Sequence, residues 1–163
     1  MQVSMFKTES EWVCPQSYPD LTSCREVAID LETYDPHLTT HGSGWPTGEG
    51  HIIGAAVAVE GKQWYFPIRH ENGPNLDVKA TLRWLQDVLS VKRDYVFHHA
   101  AYDVGWLLHE GLTPKGRIVD TMVVAPLLDE NRWSYALNAL GRDYLSERKN
   151  EQELRTAAAE FGV

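Results

Sequence analysis

The order of apolar and polar segments along the chain predicts a sheet of mixed strand direction. The first strand pattern is REVAIDLE, which starts at Arg25, and two further apolar runs cover residues 52–59 and 63–68. The intervening Glu60-Gly61-Lys62 predicts a β-hairpin. Three strands that follow one another in this way can pair antiparallel.

Helical and strand patterns alternate in the rest of the chain. Apolar residues at roughly helical spacing predict a helix in LDVKATLRWLQDVLS, and similar patterns occur in AAYDVGWLLHEG, TMVVAPLLD, SYALNALGRDYL and EQELRTAAAEF. Between the first three helices, the short run YVF predicts a buried strand and RIV, from Arg117, predicts another short strand. Gly111 is expected just beyond the second helix and Asp120 at the start of the third. This order predicts an α/β sheet, antiparallel in its first three strands and then parallel, with helices on its faces.

Two stretches show no regular pattern. Residues 1–24 contain Pro15 and Pro19, which interrupt regular structure, and residues 34–51 are rich in Gly, Pro and Thr. A long loop of this kind inside a compact domain is often functional. The 163 residues fit one domain, and we expect an irregular segment over residues 1–24 and a folded domain over residues 25–163.

The net charge of −8 argues against a domain that binds nucleic acid mainly through its own basic surface. It does not exclude an enzyme that reaches phosphate groups through bound cations. No apolar run approaches the ~20 residues that cross a bilayer, and no secretory signal is seen, so we expect a cytoplasmic protein without membrane contact. Cys14 and Cys24 are expected to be free thiols.

Two acidic residues, Asp30 and Glu32, stand two positions apart in the first strand pattern. Residues i and i+2 of a strand share a face, so these carboxylates project together while Ile29 and Leu31 point the other way. Two such carboxylates repel each other unless a cation lies between them, and Mg²⁺ or Mn²⁺ prefers oxygen ligands. The alternative is a strand end with solvated acids. The position at the end of a buried strand, before a long loop, favours a functional pair.

A third acidic residue, Asp103, lies on an apolar helical stripe with Trp106 and Leu107. An acid on such a face is costly unless it is paired or bound to metal. The alternative is an acid in the first helical turn that the helix dipole stabilises, and both can hold together. His98 and His99 face opposite ways at a strand end, so they are not expected to form a two-histidine metal site. Surface or loop roles are expected for the remaining histidines, His37, His41, His51, His70 and His109.

Three segments, taken in order, resemble the DEDD superfamily of 3′–5′ exonucleases, in particular the proofreading domain of family A, phage-type DNA polymerases. Asp30-Leu31-Glu32 resembles the first motif of that family, and the second motif is similar to HHAAYD, which ends at Asp103. VDTMVVAPLLDENRWSYALNALGRDYL resembles the Asp-Thr and helical pair that follow. The resemblance covers roughly residues 25–145, and it departs from the family at His99, where the family has Asn.

The resemblance implies an RNase H-like fold and two divalent cations, Mg²⁺ or Mn²⁺. It implies that Asp30 bridges the two ions, that Glu32 binds one of them and the terminal 3′ hydroxyl, and that Asp103 holds the second ion. The reaction would release nucleoside 5′-monophosphates from a single-stranded DNA 3′ end. The implied partner is a polymerase domain in the same parent chain, and a monomer is expected. Substrate-binding roles fall to Thr33, His99, Tyr102 and Trp45, although Trp45 can equally be a loop anchor.

The third motif of the family, a Tyr or His with an Asp four residues later, is expected after this helical pair and is not found there. Tyr135 and Tyr144 have Ala139 and Arg148 at that distance. Asp120 is not assigned as the missing ligand because a helix cap explains it fully. We therefore expect a fragment of a longer polymerase that lacks the fourth acidic ligand and the water-orienting residue and is weak or inactive alone. The alternatives are an RNase D-like RNA 3′–5′ exonuclease and a catalytically inactive nucleic-acid-binding domain.

Overall fold

The sheet contains five strands in the computed structural model, which describes residues 12–146. The strands lie in the order β3-β2-β1-β4-β5. Their bounds are Glu26–Tyr34 for β1, His51–Val59 for β2, Lys62–Pro67 for β3, Asp94–Phe97 for β4 and Arg117–Asp120 for β5. β1, β2 and β3 pair antiparallel, whereas β4 is parallel to β1 and to β5. The predicted sheet of mixed direction is therefore confirmed, as is the hairpin turn, where Gly61 has a φ of 72°.

The helices follow the predicted order, with two differences. Their bounds are Leu38–His41 for α1, Val78–Ser90 for α2, Ala100–His109 for α3, Thr121–Leu128 for α4 and Leu137–Leu140 for α5, which continues into a π-helical turn over Gly141–Leu145. α1 lies inside the predicted loop and buries no residue, so no apolar pattern marks it. The helix predicted in SYALNALGRDYL begins only at Leu137, and its second half is the π-helical turn.

Other expectations from the sequence have mixed outcomes. Gly111 follows α3 with a φ of 79°, as expected of a residue after a helix end. Residues 12–25 contain no helix and no strand, whereas residues 1–11 and the helix predicted in EQELRTAAAEF lie outside the described residues. Cys14 and Cys24 are free. None of the helices in the described part of the chain is long and apolar enough to cross a membrane.

The two faces of β1 differ as the strand pattern predicts. Ile29 and Leu31 are buried in one core cluster with residues of α2 and α3, including Leu85 and Trp106. The opposite face of the sheet carries Ala28, Asp30 and Glu32 on β1 and small side chains on β2. A groove of about 390 Å³ lies on this open face, and its lining includes Asp30, Ala56, Tyr65, His98 and Leu137. The sheet thus separates an apolar core from a face on which the acidic pair stands.

Asp120 forms hydrogen bonds at the N-terminal ends of two helices, α3 and α4. It is the N-cap of α4, where its Oδ1 accepts the backbone N–H of Met122 at 2.9 Å, which confirms the predicted cap. The same carboxylate accepts the N–H groups of His99 at 3.0 Å and Ala100 at 2.8 Å, at the start of α3. Burial alone would raise the pKa of Asp120, but backbone N–H groups of both helix ends lower it overall. Asp120 therefore fixes the start of the helix that carries Asp103.

We expect Asp120→Ala to reduce the free energy of unfolding at pH 7 by about 1–2 kcal/mol, because it removes the cap of α4 and the partner of α3. A carboxylate with a lowered pKa stabilises the folded state above its unfolded pKa of about 3.9 and loses this contribution as the pH falls. The difference from wild type should therefore shrink between pH 7 and pH 3 in urea unfolding. Asp87→Ala, at an exposed position in α2, is the control. A difference that is constant with pH would contradict this role of the Asp120 charge.

Candidate active site

The end of β1 extends beyond its parallel neighbour. β1 pairs with β4 only from Glu26 to Ala28, whereas it stays paired with β2 as far as Tyr34. β1 is also the strand at which the sheet changes from antiparallel to parallel pairing. Crevices at such a change, beyond the carboxyl ends of parallel strands, are where α/β sheets bind ligands. The acidic pair thus stands beside an opening in the sheet.

Asp103 reaches into this opening from α3. Its Oδ1 accepts the backbone N–H of Leu31 at 3.1 Å, and the residue is only 3% exposed. Leu31 is the residue between Asp30 and Glu32, so the contact joins two sequence motifs that are 72 residues apart. The structure therefore brings the three predicted acidic residues to one region, with Asp30 and Glu32 exposed and Asp103 buried.

The electrostatic environment disfavours the charged form of Asp103. Burial raises the pKa of this carboxyl to about 7; the N–H of Leu31 acts in the opposite direction, and the charges of Asp30, Asp120 and Glu32 raise it further. Carboxylate oxygens are the ligands that Mg²⁺ prefers, and a cation would relieve this repulsion, so the donor set fits a divalent ion. Nevertheless, no three His, Cys, Asp or Glu side chains among residues 12–146 are placed to hold a metal ion between them.

A hydroxyl network joins the strand end to α3. Thr33 Oγ1 and Tyr102 Oη are 2.6 Å apart, and Tyr102 donates to Asp35 Oδ2 at 3.2 Å. The same oxygen of Asp35 accepts the backbone N–H of Gly44 at 3.1 Å, which ties the loop to the network. Two of the predicted substrate-binding residues, Thr33 and Tyr102, thus lie together. Asp35 was not predicted, although an Asp that begins a Gly-rich loop is a common backbone anchor.

Trp45 packs against α3 at Gly105. A Cβ atom added to Gly105 would lie 2.4 Å from Cε2 of the indole, so only glycine leaves room for the ring. Trp45 is partly buried and contacts the core cluster. This is the contact of a loop anchor, the alternative stated for Trp45. A direct contact between this ring and bases stays a prediction.

The two histidines after β4 have different surroundings. His99 is exposed and has a left-handed backbone, with φ 73° and ψ 53°. Asn and His are among the non-glycine residues that adopt this conformation most readily, which gives a backbone reason for His where the resembled family has Asn. His98 Nδ1 is 2.9 Å from Thr121 Oγ1, and burial lowers the pKa of His98 against the opposing charges of Asp120 and Asp30. One histidine is solvated and the other hydrogen-bonded, as expected.

The chain has sequence relatives among phage DNA polymerases. It is 33% identical over 171 residues to a DNA-directed DNA polymerase of Pseudomonas phage M6, an alignment that covers 100% of this chain and 26% of that protein. It is 29% identical over 147 residues to DNA polymerase DpoZ of Salmonella phage PMBT28, covering 89% of this chain and 21% of that protein. The chain thus spans about a quarter of the length of these relatives. No protein-family model matches it.

Solved structures with this fold include nucleases and a polymerase. Brucella melitensis NrnC with bound Mg²⁺ has a TM-score of 0.59 at 17% identity, over 82% of this chain and 60% of that chain. The catalytic core of RRP6 from Trypanosoma brucei has a TM-score of 0.57 at 19% identity, over 80% of this chain and 32% of that one. Pol1 of M. smegmatis has a TM-score of 0.55 at 15% identity, over 80% of this chain and 21% of that one.

The fold is therefore the RNase H-like fold of the DEDD-type exonucleases. The chain is similar in sequence to phage DNA polymerases, which confirms the resemblance drawn from its motifs.

We expect Asp103→Asn to raise the melting temperature at pH 8 in the presence of a chelator, by about 3 °C or more, and to change it little at pH 4. The folded state favours the protonated carboxyl, so the wild type loses stability as the pH rises from about 4, the unfolded pKa, to about 7, the folded pKa. Asparagine stays neutral and can still accept the N–H of Leu31. Asp87→Asn is the control. A destabilised Asp103→Asn protein at pH 8 would show that the charge of Asp103 is already compensated without metal.

We also expect the backbone at position 99 to limit substitution. His99→Asn and His99→Gly should leave the melting temperature nearly unchanged, whereas His99→Val should reduce the free energy of unfolding by about 1–2 kcal/mol, because a β-branched residue is strained at φ 73°. Thermal unfolding of the three variants, with His109→Val at an exposed position as the control, measures this difference. Equal stabilities for the Asn and Val variants would contradict it.

Proposed function

We propose that this chain is the 3′–5′ exonuclease domain, over residues 25–163, of a phage-type DNA polymerase. The proposed reaction is hydrolysis of the terminal phosphodiester at a single-stranded DNA 3′ end, with release of nucleoside 5′-monophosphates. One observation carries the proposal: Asp103 bonds to the backbone of Leu31, between Asp30 and Glu32. Its support is the homology to phage DNA polymerases together with the exonuclease fold.

The proposed ligands of two divalent cations, Mg²⁺ or Mn²⁺, are Asp30, Glu32 and Asp103. Bound ions of this kind activate a water molecule and stabilise the leaving oxygen in phosphodiester hydrolysis. The crowding of negative charge around Asp103 supports this assignment, and the Brucella melitensis neighbour is described with bound Mg²⁺. Asp30 and Glu32 would both hold cations, and Glu32 would also contact the terminal 3′ hydroxyl. The proposal thus assigns three of the four acidic ligands of the resembled family.

The chain's own residues would bind and orient the DNA end. The groove beside Asp30 holds about 390 Å³, and its lining includes Trp12 and Tyr65, whose rings contact each other edge to face. Aromatic rings of this kind suit a stacked base better than a phosphate. The hydroxyl pair of Thr33 and Tyr102 is held by Asp35 at the strand end, and His99 is exposed at the start of α3. With a net charge of −8, the chain would attract little DNA on its own, so cations are proposed to mediate the contact with phosphate.

The test is Mn²⁺-dependent release of nucleotide from 3′-labelled single-stranded DNA and RNA, by the chain alone and within its full natural polypeptide. We expect release from DNA by the full polypeptide and weak or no release by the chain alone. Asp30→Asn should reduce release by the full polypeptide at least about 100-fold, because a proposed metal ligand is lost. Asp87→Asn is the matched control.

Each other outcome counts against a stated part of the proposal. DNA binding without release in either form would favour an inactive binding domain. Faster release from RNA than from DNA would overturn the DNA assignment and leave the exonuclease assignment intact. Equal rates for wild type and Asp30→Asn would remove the acidic pair from the mechanism.

A further inference from the structure

We propose that Tyr65 and His70, a hydroxyl–imidazole pair beside Glu32, position this carboxylate for metal binding. The inference rests on the proposed function, because it concerns the orientation of a proposed metal ligand. Neither residue is indicated by a motif in the sequence, and His70 was expected to have only a surface or loop role. It does lie just after β3, but it is partly buried and hydrogen-bonded to Tyr65.

The position of the Tyr65 hydroxyl follows from the strand register. Glu32 on β1 lies directly opposite Gly54 on β2. Tyr65 on β3 leans over Gly54, so that a Cβ atom at Gly54 would lie only 2.0 Å from the tyrosine Oη. The hydroxyl therefore occupies the space of the missing side chain. Since opposite Cβ atoms in an antiparallel pair are about 4.5–5.5 Å apart, this space is within reach of the Glu32 carboxylate.

His70 gives the hydroxyl a direction. Its Nε2 is hydrogen-bonded to Tyr65 Oη. Asn75 binds both polar groups of the His70 backbone. Asn75 Oδ1 accepts the N–H of His70 and Asn75 Nδ2 donates to the carbonyl of His70, each at 2.8 Å. When Nε2–H of His70 donates to the tyrosine oxygen, the single hydroxyl proton of Tyr65 is left to donate towards Glu32. The imidazole of His70, whose backbone Asn75 holds in place, would then favour one orientation of the hydroxyl.

The charge environment agrees with this geometry. Burial raises the pKa of Tyr65 to about 12, and the charge of Glu32 acts in the same direction. A tyrosine hydroxyl is protonated at neutral pH in any case, so it can donate. Outer hydrogen bonds of this kind orient ligating carboxylates, and their loss typically weakens metal binding by about 10- to 100-fold.

The simplest alternative is that Tyr65 only packs the edge of the sheet. Its ring contacts Trp12 at 6.1 Å between centroids and covers Gly54. A packing role depends on the ring, whereas the proposed role depends on the hydroxyl. Tyr65→Phe separates the two because it keeps the ring and removes only the oxygen.

The experiment is a calorimetric titration of the full chain with Mn²⁺, without DNA. We expect Tyr65→Phe to weaken Mn²⁺ binding about 10-fold while its melting temperature in chelator stays close to that of the wild type. His70→Ala should weaken binding similarly, and His70→Gln, whose side-chain amide can still donate to the tyrosine oxygen, should restore much of it. Tyr18→Phe is the matched control. The hydroxyl of Tyr18 is 2.8 Å from Thr81 Oγ1, with which it forms a hydrogen bond, and this bond involves none of the acidic residues.

Asp30→Asn in the same titration separates the two proposals. If Asp30→Asn abolishes Mn²⁺ binding and Tyr65→Phe binds as the wild type does, the role of the pair is overturned while the proposed function stands. If the wild type binds no Mn²⁺, or Asp30→Asn binds it equally well, the proposed function fails and this inference fails with it. If Tyr65→Phe does not fold, the comparison of His70→Ala with His70→Gln decides, and equal affinities for these two variants overturn the role of the pair.

Discussion

The hydrogen bond from the Leu31 N–H to Asp103 is the contact on which the candidate site depends. A buried backbone N–H needs an acceptor, and β4 pairs with β1 only as far as Ala28. A side chain must therefore supply the acceptor that a longer parallel strand would have provided. Asp103 does so from α3, and it joins this helix to the middle of the Asp-x-Glu motif. The early end of the strand pairing thus creates both the opening and the need for a carboxylate inside it.

Two aspartates close to this opening show how environment separates their roles. Asp120 accepts backbone N–H groups at two helix ends, and the pKa of its carboxyl is lowered. Asp103 accepts one N–H, is more deeply buried and faces other acids, and the pKa of its carboxyl is raised. Ionised Asp120 therefore stabilises the metal-free fold. Ionised Asp103 destabilises the fold unless a cation is present. A ligand that binds only the folded state returns that stability through mass action.

Much of the fold could be predicted because local patterns determine it. The alternation of Ile29 and Leu31 with Asp30 and Glu32 separates the faces of β1, and the cap at Asp120 follows from the residue type and position. α1 and the π-helical turn could not be predicted, because neither has an apolar face of its own that repeats with helical spacing. The anchoring role of Asp35 depends on a contact with Tyr102, 67 residues away, which no local pattern contains.

The pair of Tyr65 and His70 was missed for a related reason. Its place beside Glu32 depends on the register of β1, β2 and β3. It also depends on Gly54, because any side chain there would occupy the space of the Tyr65 hydroxyl. The register of β1 against β2 also shifts between Glu32 and Thr33, and such irregularities often re-aim side chains next to active sites.

β1 is therefore more than the strand that carries two acids. On the side of β4, Asp103 reaches the backbone of β1 at Leu31. On the side of β2, the hydroxyl of Tyr65 lies over Gly54, which is opposite Glu32. Both approaches require that Asp30 and Glu32 face away from the core. A slip of one residue in the register of β1 would turn both carboxylates inwards and Ile29 and Leu31 outwards. The burial of these two apolar side chains consequently holds the acidic pair on the open face, so the core and the candidate site are specified by the same alternation.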